Sequence, residues 1–364
     1  MEALCKWTGR YKDNWKDAFE RMLAWWNFEE TDRPIVLNPV PRAEHERRGS
    51  LIYPVSPDEA RGMDFNADVY INNARYSIEN TIYTGESAPL VRTGYASSLG
   101  MLAVMAGGRV AYDTRTAWVE ADEGTYEREL PVFDPDSSPY AFTIDMLHRY
   151  HAEFGADVVL GANPMVDPFT TLSVMRGVED FCVDLIERPG VVARWTKRLG
   201  DIYIGMVEGF RIARADLGRR EDANWCGVWA PGDMDTVMCD AAAYLSPEMF
   251  RKFVMEEAER EAEFFDYALW HLDGTGQFIH LPDICSIPNI RAIQFGDEKA
   301  RDPLEFAHIW EKVIKAGKSL VISCPLASAI ELTKKLGKRG LALGLSDVKT
   351  TGEMEKALKI LADI

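Results

Sequence analysis

Apolar and polar positions alternate along the chain in two distinct rhythms, and the change between them marks the elements. Residues 13–28 place Trp15, Phe19, Met22 and Trp26 three and four apart, the spacing of one helical face. Asp32-Arg33-Pro34 breaks that helix, and the short apolar run IVLN that follows reads as a strand ending in the turn-prone Pro39 and Pro41. Residues 43–130 are less regular. They predict a helix over 97–105 and β-like stretches over 109–120. A helical pattern over 140–154 then leads into the strand-like DVVLG, and a long helical region spans 172–214 with a break at Pro189-Gly190.

From there the pattern repeats. ANWCGVW, YALWHLD, IRAIQF, SLVISC and GLALGLS each precede a helical stretch, giving five strand-then-helix units in about 140 residues. The second of these helices spans residues 278–286, and the first opens at Ser246-Pro247-Glu248, a capping serine followed by proline. Apolar strands each followed by a helix predict a parallel sheet buried on both faces. No GxGxxG or Walker sequence follows any strand, so the phosphate-binding fingerprints of nucleotide folds are missing. The expectation is an α/β fold, a (β/α)8 TIM barrel occupying residues 1–364 as one domain, with residues 1–30 as an N-terminal helical extension.

Composition narrows the function classes. The net charge of −17 argues against a nucleic-acid or anionic-membrane partner, since both attract basic surfaces. Six cysteines, at 5, 182, 226, 239, 285 and 324, form no CxxC pair. The first residues carry charge and aromatic rings rather than an apolar stretch, and no run approaches the roughly 18 apolar residues of a membrane helix. A reduced, cytoplasmic protein is expected.

In a barrel the strand ends converge on one mouth, where chemistry resides. The predicted ends carry Cys226, His271 with Asp273, Gln294, Cys324, and Ser346 with Asp347. His271 and Asp273, two apart on one strand, face the same side, and Gly274 allows a sharp turn beyond them. Imidazole and carboxylate suit acid/base work or metal binding; the structural alternative is a cap and a polar filler of the barrel. Cys226 and Cys324 read either as small buried hydrophobes or as ligands. His280 lies close enough in sequence to reach the mouth, with a core role equally open, and Arg42 follows the first strand at a position suited to a carboxylate. Arg75, Arg92 and Arg115 have no such position to single them out. Trp225, Trp229 and Trp270 neighbour the proposed mouth residues and would wall a pocket.

The run His271-Leu-Asp-Gly, then His280-Leu-Pro-Asp283 and Ala-Ile-Gln294-Phe, resembles the uroporphyrinogen decarboxylase-like superfamily, which includes cobalamin-dependent methyltransferases. Tyr83-Thr-Gly85-Glu86-Ser-Ala-Pro89, Thr116-Ala-Trp118-Val-Glu120, Leu-Ser246-Pro247-Glu-Met-Phe250 and Ala316-Gly-Lys318 agree with it in the same order, across residues 10–350. The resemblance implies a β/α barrel and a methyltransferase moving a methyl group between a small methylated compound, thiol or folate and a corrinoid on a separate protein. Catalysis falls to His271, Asp273 and His280, and substrate binding to Arg42, Glu86, Trp225, Gln294 and Ser346. A homodimer is implied too. Family zinc sites use His-x-Cys and a late cysteine, whereas here the pair is His271-x-Asp273 and the late position holds Ser346-Asp347. The expected zinc set is therefore His271 and Asp273 with Cys226 or Cys324. Decarboxylation of a carboxylated pyrrole or aromatic compound is the alternative activity, although only Arg42 matches the decarboxylases' N-terminal arginine segment. A non-catalytic binding barrel is the third.

Overall fold

The computed structural model describes residues 7–92, 100–162 and 167–364. In chain order the strands are β1 (Ile35–Val36), β2 (Pro39–Pro41), β3 (Thr81–Tyr83), β4 (Leu90–Arg92), β5 (Arg109–Tyr112), β6 (Ala117–Glu120) and β7 (Val159–Gly161). They continue with β8 (Asp222–Ala223), β9 (Trp229–Ala230), β10 (Met234–Val237), β11 (Tyr267–Asp273), β12 (Ile290–Gly296), β13 (Ser319–Cys324) and β14 (Leu341–Leu345). The fold is mixed α/β around a six-stranded parallel sheet in the order β1-β14-β13-β12-β11-β10. A parallel β4-β7 pair and the antiparallel pairs β2-β3, β5-β6 and β8-β9 complete the described sheets.

Short contacts join these pieces. Glu86 N–H donates to the Val36 carbonyl at 2.9 Å, holding the chain before β4 against β1. Gly161, at the end of β7, lies so close to β8 that a Cβ there would sit 2.3 Å from the Ala223 carbonyl oxygen. Met234 N–H reaches the Asp222 carboxylate, linking β10 to β8.

The pleat sorts the side chains into two apolar layers. On β11, Ala268, Trp270 and Leu272 join the large cluster shared with the helices, whereas Leu269 joins a second cluster with Ile35, Val159, Ala223, Ala292, Val321 and Ala342. The helix Trp15–Trp26 packs Trp15, Met22, Trp25 and Trp26 into this second cluster. Two of its three indoles are hydrogen-bonded: Trp25 donates to the Gly340 carbonyl and Trp26 to that of Trp229, both at 3.0 Å. The amphipathic pattern at the N-terminus thus belongs to a helix whose apolar face packs into the second cluster.

The helices Leu281–Ser286, Ala307–Lys315, Leu326–Leu336 and Thr351–Asp363 follow β11 to β14 in turn. The last is opened by a Thr350–Glu353 capping box. The long helical region starts at Pro168 and comprises three helices, broken at Gly177 as well as at Pro189. Gly177 takes φ +91°, which is open to glycine. The stretch over 109–120 is the β5-β6 hairpin. The helix expected over 97–105 is described from Met101 to Met105, its first residues lying outside the described ones.

One element differs. ANWCGVW is not a parallel strand but the turn of the β8-β9 hairpin, reversed at Gly227 with φ +81°. Asn224 Oδ1 ties the turn by accepting from Val228 N–H at 3.0 Å. The parallel strand of this region is β10, which escaped the apolar pattern because Asp235 and Thr236 are buried within it. Among the described residues no helix is long and apolar enough to cross a membrane.

Candidate active site

β11 and β12 run in register, pairing His271 with Gln294 and Asp273 with Gly296. The alternation that sends Trp270 and Leu272 to the helices sends His271 and Asp273 to the other face. His271 Nδ1 lies 2.5 Å from Gln294 Oε1. With the amide oxygen toward the ring, Nδ1 carries the proton and Nε2 presents its lone pair. Nε2 has no hydrogen-bond partner among the described residues. Trp225 meets the imidazole edge to face, with centroids 4.7 Å apart. Burial depresses the His271 pKa, against smaller upward effects of the Gln294 hydrogen bond and the Asp273 charge. The ring is therefore neutral near pH 7.

Gly296 leaves room for this arrangement, since a Cβ there would stand 3.2 Å from His271 Cε1. Gly296→Ala should displace the ring and lower activity by about tenfold or more, because placement errors of a catalytic group are costly. Thermal unfolding would check that the fold persists. An unchanged rate would show that ring placement is unimportant.

Asp240 joins the site from the turn after β10. Burial first, then the charges of Asp273 and Glu298, push its pKa up to about 6. Cys226 donates its thiol to Asn224 Oδ1 at 3.1 Å, and burial raises its pKa to about 12 despite a smaller opposing effect of the Arg92 guanidinium. It lies in the β8-β9 turn rather than at the end of a parallel strand.

The other expected residues are elsewhere or otherwise engaged. Cys324 falls on the helix-facing side of β13 with Leu320 and Ile322, and burial raises its thiol to about 12. Ser323 takes the alternate position and is exposed. No three His, Cys, Asp or Glu side chains among the described residues come together as a metal-holding group. The expected zinc set of His271 and Asp273 with Cys226 or Cys324 is not among such groups, and period-two geometry turns Cys324 away. The described residues do not fit the metal.

His280 is a core residue rather than a mouth residue. It is fully buried, stacked on Phe250 at 4.4 Å, with Nε2 on the Ala242 carbonyl. Glu86 is fully buried as well, gripped by both terminal nitrogens of Arg33 and by Val36 N–H. Arg42 Nε donates to the Glu79 carbonyl beside the β2-β3 ribbon. Ser346 is exposed at the end of β14, and Asp347 accepts from Leu326 N–H at the start of a helix. Trp229 and Trp270 are buried in the two apolar layers, leaving Trp225 as the tryptophan at the imidazole.

No family model matches this sequence, and no curated protein matches it either. Among solved structures the chain is similar to a methyltransferase from Methanosarcina mazei, with a TM-score of 0.56 and 18% identity over 95% of this chain and 98% of that one. At that identity the likeness is one of fold.

Proposed function

We propose that the strands close into a (β/α)8-type barrel whose C-terminal mouth holds a methyltransferase site, with His271 as general base toward the methyl acceptor. Closure is supported by the inner cluster, to which β1, β7, β8 and β10 to β14 each contribute. The shared fold with a methyltransferase agrees with the activity. The observation that carries the reading is the imidazole itself: Nδ1 tied to Gln294, Trp225 at its face, and Nε2 open.

A neutral ring with an open Nε2 is a base and not an acid, which selects the direction of its action. The acceptor, a thiol or the N–H of a reduced folate, gives its proton to Nε2 as its lone pair forms the bond to the methyl carbon. The electron pair of the bond that breaks stays with the methyl donor, a methylated corrinoid carried by a separate protein. Such a donor supplies an activated methyl group and needs no acid from this chain. The Asp273 charge favours the proton held at Nε2.

Incubation with methylcob(III)alamin and a thiol, or tetrahydrofolate, tests the reading through the visible spectrum. Acceptor-dependent loss of the methylcobalamin bands is expected, and no transfer to any thiol or folate would overturn it. The pH profile carries a second expectation. The base is present above the folded pKa of His271 and is lost as pH falls through it, so kcat/KM should fall on the acid side with an apparent pKa below 6.5. An acid limb above that value would contradict the assignment.

A further inference from the structure

A cavity of about 480 Å3 opens beside the end of β4, between the helices Pro57–Met63 and Ala67–Glu79 and the turn joining β5 to β6. That size suits a small organic ligand. Leu90, Val91 and Arg92 line it from β4, and Tyr70, Tyr112 and Tyr150 contribute aromatic surface. The charges in it are unevenly engaged. Asp64 accepts the Tyr112 hydroxyl at 2.5 Å, and Asp113 accepts the Thr114 N–H. Arg115 is exposed. Arg92, open to the cavity, has neither a carboxylate nor a carbonyl partner among the described residues. It differs in this from Arg33, Arg214 and Arg219, whose guanidinium groups are held by acidic side chains. Burial lowers the Arg92 pKa, against smaller upward effects of Cys226 and Tyr150.

We propose that Arg92 and the tyrosine-lined cavity bind the carboxylate of a small molecule with a flat or apolar body. A planar guanidinium receives a carboxylate through two parallel hydrogen bonds, and ring and aliphatic walls cover the remainder. Arg92 also acts electrostatically on Cys226, whose neighbour Trp225 packs on His271. That the bound molecule is the substrate rests on the methyl-transfer reading; that it binds does not.

Calorimetric titration with benzoate and with benzamide, alike in shape and different in charge, tests the assignment. The wild-type chain should bind benzoate at least tenfold more tightly, and Arg92→Gln should abolish the preference. His271→Ala should bind the pair as the wild type does. Equal binding of the two, no binding of either, or a preference that survives in Arg92→Gln would overturn the proposal. A wild-type chain that prefers benzoate yet transfers no methyl group would remove the methyl-transfer reading and leave the carboxylate site standing.

Discussion

Replacing His271 by alanine is expected to lower methyl transfer about 10²- to 10⁴-fold, the usual worth of a placed general base, while the fold survives. The side chain lies at the end of β11, where it touches Gln294 and Trp225 and takes no place in either apolar cluster. Its loss leaves one amide unpaired, a cost of about 1–3 kcal/mol that a chain of this size tolerates. Raising the pH should not rescue the variant with a thiol acceptor of ordinary pKa until the thiolate forms unaided. Above that pH the gap between variant and wild type should close, because the base is then redundant. Steady-state rates from pH 6 to 10 measure this directly. A constant deficit across that range would assign His271 to positioning rather than proton removal.

Glu86→Ala should act on stability instead. The carboxylate is fully buried, binds both terminal nitrogens of Arg33, and takes the Val36 N–H at 2.9 Å. Removing one member of such a pair strands the other charge in the interior, at a cost of about 3–5 kcal/mol. Nearby, Lys12 donates to the Gly85 carbonyl at 2.8 Å, and burial pulls its pKa down to about 8. Loss of the Glu86 charge therefore leaves Arg33 and Lys12 without it, and Arg21, 3.5 Å from it, with Asp32 alone. Urea unfolding of the variant should show a lower midpoint with an unchanged slope. The folded fraction should retain the wild-type KM, whereas a raised KM in a chain of normal stability would return Glu86 to substrate binding.

Much of this architecture was legible in the chain. The apolar runs of β11 to β14 are buried on both faces, so their sequences announce parallel strands without ambiguity. The HLDG stretch correctly pointed to His271 as a strand-end group, because the polar residues interrupt an otherwise apolar run. Other features were hidden for definite reasons. β10 carries Asp235 and Thr236 in the interior and has no apolar signature. Cys324 looked like a mouth residue, but one step of the pleat puts it with the helices. His280 and Glu86 are buried by tertiary packing that no local pattern reveals. Arg92 was one arginine among many until the cavity gave it a position.

The most direct test of the account is the protonation state of the His271 ring, read by ¹⁵N NMR of histidine-labelled protein. The chain has six histidines, and the His271→Ala spectrum identifies the one that matters. The expected result is a neutral ring at pH 7 with the proton on Nδ1, an apparent pKa below 6.5, and a higher pKa in Gln294→Glu, where a carboxylate would favour the cation. A proton on Nε2, or a ring still charged at pH 7, would contradict it.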